Sequence, residues 1–136
     1  RTPRPRVASM IALDETGIRG RVLADPPAMV EALLNLLQNA HRYTPDDKEI
    51  VVRCQARRGA VALQIQDNGP GIPQREHRRI FEKFYRVEDP WKRNLDGTGL
   101  GLAIVDHIVR GHNGTISLQS EVGRGSTFTI LLPTES

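Results

Sequence analysis

Residues 49–55 and 61–66 alternate apolar and polar side chains with period two on either side of Arg58 and Gly59, a pattern that predicts a β-hairpin. Residues 7–13 and 20–24 are shorter β-like runs about a turn at 15–17, and residues 115–119 and 127–132 form a last pair joined by a turn at 121–125. Two stretches follow helical spacing instead. Asp25 stands in N-cap position before Pro26 and Pro27, whose missing N–H groups suit a first helical turn, and the helix so begun runs to Arg42, ahead of Thr44 and Pro45. A second long helix fits residues 100–110, where Leu100, Ala103, Ile104 and Ile108 make one stripe and Gly111, Asn113 and Gly114 close it. Between the hairpin and this helix lie a Gly- and Pro-rich stretch at 67–73, a short helix near 74–81 and a segment at 84–97 without clear period. The order ββ, α, ββ, short α, α, ββ predicts an α+β two-layer sandwich, with the helices on one face of a mostly antiparallel sheet.

Composition fits one domain over residues 1–136, with the basic, Pro-rich start (Arg1, Pro3, Arg4, Pro5, Arg6) reading as a residual linker from a longer protein. The 19 basic and 16 acidic residues leave a net charge of +3, with basic runs at 53–58 and 75–79. Only six aromatics occur and none is interleaved with those runs, so a base-stacking surface, and with it nucleic acid, is disfavoured. Cys54 is the single cysteine and allows no internal disulfide; its alternation with Ile50 and Val52 predicts a buried, inert thiol. Without an apolar run near 18 residues or an export pattern the chain reads as cytoplasmic, with no membrane contact of its own.

Candidate chemistry gathers at four places. On the first long helix Glu31, Asn35, Asn39 and Arg42 follow one another at spacings of four, four and three, which aligns them on one stripe of an otherwise apolar helix. Buried amides need partners: a ligand or metal ion is one, an ordinary core hydrogen bond another. Asp67-Asn68-Gly69-Pro70-Gly71-Ile72 follows an apolar strand, placing a carboxylate at a strand end beside glycines that allow close backbone approach; a plain Asn-Gly turn would look the same. Gly97-Thr98-Gly99-Leu100-Gly101-Leu102 precedes the second long helix, whose unpaired N–H groups suit phosphate. It is neither a P-loop, lacking Gly-Lys-Ser/Thr, nor a dinucleotide fingerprint, since no strand leads into it. Gly123-Arg124-Gly125-Ser126-Thr127 is a turn entering a strand. His41, His77, His107 and His112 are not spaced as metal ligands, and no nucleophile elbow occurs.

In this order the segments resemble the histidine kinase catalytic domain of the family that also contains DNA gyrase, Hsp90 and MutL, over about residues 25–133. Asn35 to Tyr43 is similar to its N box, Asp67 to Ile72 to the G1 box, Phe81-Glu82-Lys83-Phe84-Tyr85-Arg86 to the F box, Gly97 to Leu102 to the G2 box, and Gly123 to Phe128 to the last glycine box. The resemblance implies a mixed sheet of about five strands against three helices, with ATP between helices under a lid at 84–96. It implies that Asn39 completes the coordination of Mg²⁺ on the phosphates, with Asn35 nearby. Asp67 would accept from the adenine amine, helped by a water on Ser126 or Thr127, with Gly69, Gly71 and Ile72 beside it. Arg42 would meet phosphate where the family often has Lys, Tyr43 would stack near the base, and Phe84, Gly97, Thr98, Gly99, Leu100, Gly101 and Leu102 would complete the ATP site.

The gyrase and Hsp90 branch carries a water-activating Glu where this chain has Asn35. An amide cannot serve as a general base near neutral pH, so transfer of the γ-phosphoryl group to an outside nucleophile is favoured over hydrolysis. No phosphoacceptor His box accompanies these motifs. The expected activity is that of a protein-histidine kinase in two-component signalling, with Asn39 and Arg42 as its catalytic residues. The expected partners are the dimerisation and phosphoacceptor domain of the parent kinase and, indirectly, a response regulator. The isolated domain is expected to be a monomer, and the parent can be membrane-anchored. A degenerate nucleotide pocket that docks a partner and an anti-sigma-type protein-serine kinase are the competing readings.

Overall fold

The computed structural model describes residues 10–16, 22–43, 49–83 and 101–134. Five strands form one mixed sheet in the order β1-β2-β3-β5-β4: β1 (Met10–Thr16), β2 (Glu49–Arg57), β3 (Ala60–Asp67), β4 (Thr115–Glu121) and β5 (Gly125–Pro133). β1 runs parallel to β2 and every other pair is antiparallel. Parallel neighbours need a crossover, and helix α1 (Pro26–Tyr43) supplies it. Helix α2 (Gly101–Gly111) precedes β4, so β5 returns between β3 and β4.

Register explains the core. Ile65 lies opposite Val52 and Phe128, and Phe128 opposite Leu118, so one face of the sheet is apolar across four strands. That face buries Ile50, Ile65, Phe128, Ile130 and Leu132 against Ala32, Leu36 and Ala40 of α1 and Val105 and Val109 of α2. Fully burying an aliphatic side chain of this size is worth about 1.5–3 kcal/mol, so this two-helix contact is the main cohesive term. Cys54 is on the same face but is only half-buried, so the expected full burial of its thiol is not met. The opposite face is polar: Arg53 Nη1 donates to Gln66 Oε1 (2.6 Å) and Gln64 Nε2 to Thr129 Oγ1 (3.1 Å).

Several expectations shift. The first strand is displaced towards Asp14, Glu15 and Thr16, since pairing along β2 needs a backbone ladder and not apolar side chains. Of the run at 20–24, residues 22–24 are irregular, and 20 and 21 lie outside the described residues. The short helix near 74–81 is two 3₁₀ turns, Gln74–Glu76 and Arg79–Phe81, each closed by i→i+3 bonds. On α2 the fully buried positions are Val105 and Val109, one residue beyond the expected stripe, with Leu102 and Ile108 packed beside them. The expected linker at 1–6 lies outside the described residues.

The helix ends are tied to each other. Asn113 takes a left-handed φ of 61°, and the N–H of Gly114 returns to Val109 O at 2.9 Å, which stops α2. His112 then spans both helices: its Nδ1–H donates to Ile108 O (2.7 Å) and its Nε2 accepts from the Asp25 N–H (3.0 Å) at the start of α1. Among the described residues no helix is long and apolar enough to cross a membrane.

Candidate functional site

Two groups of the residues expected in the site come together. The first lies where β3 and β5 end side by side. Asp67 is opposite Ser126, and both are buried, with exposures of 7% and 6%. A carboxylate removed from water must be compensated by donors. Asp67 Oδ1 accepts from the backbone N–H of Gly69 at 2.9 Å and from that of Ser126 at 3.3 Å, so its position is set by both the loop that follows and the neighbouring strand.

That loop, residues 68–72, is held by the β4–β5 turn. The N–H of Gly123 donates to Pro70 O (2.8 Å), and the N–H of Ile72 donates to Ser120 Oγ (2.7 Å). Glycine is required at the contacts. A Cβ on Gly71, at φ +80°, would lie 2.1 Å from Glu121 O, and one on Gly125, at φ +93°, 2.1 Å from Asp67 O. Beyond Ile72, His77 Nε2–H donates to Ile72 O (2.8 Å), and Phe81 of the second 3₁₀ turn meets Phe128 edge-on at 6.2 Å. The F box therefore begins as a core anchor for the loop.

The second group joins the helices. The side-chain amide Nδ2 of Asn35 donates back to Glu31 O at 2.9 Å, which turns Oδ1 away from its own backbone. Oδ1 then lies 3.2 Å from where a Cβ on Gly101 would stand, at the first residue of α2. A hard amide oxygen thus faces a helix N-terminus, where unpaired N–H groups and the dipole favour an anion. No acidic side chain occupies the first turn of α2 to compete. Asn39 is half-buried one turn along from Asn35 on the same stripe.

Other expected residues are separated from these groups or lie outside the described residues. Register turns Thr127 to the polar face, opposite Gln66 and Gln119, so Ser126 alone of the two hydroxyls accompanies Asp67. A cavity of about 310 Å³ at this end of the strands is lined from both faces, by Gln66, Gln119 and Thr127 together with Asp67, Ser120 and Ser126. Leu102 packs against the core. Arg42 and Tyr43 end α1, with side chains outside the described residues; Phe84, the lid, Gly97, Thr98, Gly99 and Leu100 lie outside them entirely. Ser120 belongs to none of the motifs that marked the other residues, although a polar side chain ending the inward alternation Ile116, Leu118, Ser120 was its signal.

An amide oxygen such as that of Asn39 suits a hard cation that keeps waters and phosphate oxygens, as Mg²⁺ does, while Asn35, one turn earlier on the same stripe, turns its Oδ1 to the start of α2. Among the described residues no three His, Cys, Asp or Glu side chains gather as a metal site of their own.

The family model described as "Histidine kinase-, DNA gyrase B-, and HSP90-like ATPase" matches residues 24–136. The chain is 42% identical over 113 residues to the sensor-like histidine kinase SenX3 of Mycolicibacterium smegmatis, covering 83% of this chain and 29% of that protein. It is 42% identical over 123 residues to the sensor histidine kinase CusS of Escherichia coli, covering 90% and 25%. The chain therefore spans between a quarter and three-tenths of the length of these curated relatives. Among solved structures, the mycobacterial sensor histidine kinase MprB superposes with a TM-score of 0.80 at 32% identity, covering 96% of this chain and 85% of that one. Full-length ShkA in complex with AMPPNP superposes with a TM-score of 0.80 at 29% identity, covering 94% and 26%.

Proposed function

We propose, for a chain that belongs to the histidine kinase-, DNA gyrase B- and HSP90-like ATPase family, that it holds Mg-ATP and transfers the γ-phosphoryl group to a histidine on a separate dimerisation and phosphoacceptor domain in two-component signalling. The observation that carries this reading is Asn35. Its amide is tied back to Glu31 O and faces the N-terminus of α2; by the resemblance to the gyrase and Hsp90 branch it would stand where those hydrolases have a water-activating carboxylate. An amide there can orient a ligand or complete a metal's shell, but it takes no proton from water.

Asp67 would accept from the exocyclic amine of adenine, with Ser126 beside it. The N-terminus of α2 and the backbone of Gly99 and Gly101 would hold phosphates, and Asn39, with Asn35 nearby, would hold Mg²⁺, which supplies neutralisation of phosphate charge when bound. Arg42 would meet the phosphates and Tyr43 the base. With these groups positioning the γ-phosphate, an incoming imidazole nitrogen attacks phosphorus and ADP leaves; placement supplies most of the catalysis in such transfers. The sensor histidine kinase relatives and the AMPPNP complex of ShkA support this reading. The domain would work in the cytoplasm, its parent anchored or not, with a response regulator served indirectly.

The test mixes the domain and radiolabelled Mg-ATP with the histidine-bearing domain of the parent kinase. An acid-labile, base-stable phosphoramidate on that partner, with slow hydrolysis by the domain alone, is expected. Rapid hydrolysis alone, or an acid-stable phosphoserine, would overturn the proposal.

A further inference from the structure

We propose that Ser120 is a positioning residue that sets nucleotide-base specificity by fixing the polarity of the Ser126 hydroxyl; the inference rests on the reading of Asp67 as the adenine contact. Ser120 Oγ makes three contacts: it receives the Ile72 N–H at 2.7 Å, donates to Gly125 O at 3.0 Å, and meets Ser126 Oγ at 2.8 Å.

The single proton of the Ser120 hydroxyl decides the third contact. A serine has one proton and two lone pairs. The proton of Ser120 goes to Gly125 O, because a carbonyl only accepts, and one lone pair takes the Ile72 N–H. With the Ser120 proton placed on Gly125 O, what remains for Ser126 is a lone pair, and we assign the Ser126 hydroxyl as the donor of the 2.8 Å contact. Its proton is thereby committed inside the protein, away from any ligand. Beside Asp67, Ser126 Oγ then presents lone pairs alone.

This has a consequence for the base. An ionised carboxylate and a hydroxyl whose proton is already used form an acceptor-only edge. It matches a ligand group that donates, directly or through one water, as the amine on carbon 6 of adenine does. It opposes a carbonyl at that position, as in hypoxanthine or guanine. Were Ser120 unable to take the proton, Ser126 could rotate and offer it to such a carbonyl, and the edge would lose its single polarity. A site that leaves buried polar groups unpaired against the wrong ligand discriminates strongly.

The experiment titrates this chain with ADP and with inosine diphosphate, which differs at carbon 6 by carbonyl for amine, in the parent and in Ser120→Ala. The parent should favour ADP by at least about tenfold. In Ser120→Ala the ADP affinity should fall and that for inosine diphosphate hold or rise, compressing the ratio at least about threefold. Loss of packing alone would weaken both nucleotides together. An unchanged ratio in the variant, with discrimination intact in the parent, overturns the role of Ser120 and leaves the Asp67 reading standing. A parent that does not discriminate removes both. Should Ser120→Ala melt too low to titrate, Ser120→Cys, whose sulfur is a weak acceptor, replaces it: a compressed ratio supports the role of Ser120 and an unchanged one overturns it.

Discussion

Gly125→Ala and Gly123→Ala form a matched pair that measures how firmly the β4–β5 turn is seated on Asp67. Both glycines have left-handed φ, +93° and +89°, so alanine carries a similar backbone cost at each, about 1–2 kcal/mol. The gain from a stiffer unfolded chain is also shared and cancels in the comparison. Their surroundings differ. Nothing lies within 4 Å of a Cβ on Gly123, whereas one on Gly125 meets Asp67 O at 2.1 Å and Asn68 Cα at 3.0 Å. Those neighbours are backbone, which cannot rotate aside, and forced overpacking of this kind costs about 1–3 kcal/mol more. For a domain of this size roughly 4 °C of melting temperature corresponds to 1 kcal/mol. Thermal melting followed by circular dichroism should show a drop of about 4–8 °C for Gly123→Ala and, in total, about 8–20 °C for Gly125→Ala. Calorimetric titration with ADP should find affinity reduced in Gly125→Ala alone, because only there is the Asp67 backbone displaced. Equal drops in melting temperature would refute the close approach.

Asp67→Asn should weaken ADP binding by at least about an order of magnitude in a folded domain, since a charge-assisted hydrogen bond is worth about 1.5–3 kcal/mol and the new amide can turn a donor toward the amine; isothermal titration reads it, and unchanged affinity removes Asp67 from the site. Asn39→Ala should retain weak nucleotide binding but lose its dependence on Mg²⁺, which ATP titrations with and without the ion compare; equal strengthening in mutant and parent would contradict the assignment. His112→Ala should lower stability by about 1–2 kcal/mol in urea unfolding, having lost the bond that joins the start of α1 to the end of α2, while ADP affinity stays within about twofold. A large affinity loss without destabilisation would show that His112 touches the site.

Where the chain carried a local cause, its structure was legible. Pro26 and Pro27 at one end and Thr44-Pro45 at the other bound α1 to within a residue, and Arg58-Gly59 set the β2–β3 turn. Gly101 and Asn35, named from separate boxes, meet across the helices. What escaped depends on neighbours distant in sequence. The position of β1 follows from its parallel ladder with β2, and periodicity along seven residues does not encode a partner. Val105 and Val109 are buried because of how α2 rotates onto α1, a choice left open by the wide apolar arc that Leu102, Ile104, Val105, Ile108 and Val109 make opposite Asp106, His107 and Arg110. Ser126 and Thr127 are equivalent as letters; the register with Asp67 separates them. Ser120 and His112 each also bond a residue distant in sequence, Ile72 at 48 positions and Asp25 at 87, and no local motif announces those contacts.

The two hairpin tips invite opposite uses in the laboratory. An exposed tight turn is ordinarily the safe place for an epitope, a fluorophore or a spliced-in reporter domain. Arg58 and Gly59 fit that description, with open space around Gly59, whose carbonyl accepts the Thr134 N–H at 3.1 Å. The tip at 122–124 is just as exposed, yet its Gly123 N–H holds Pro70 O and its flanks seat against Asp67 and Gly71. Cargo spliced there would pry the two loops apart, so the same insert should be silent at the first tip and disabling at the second.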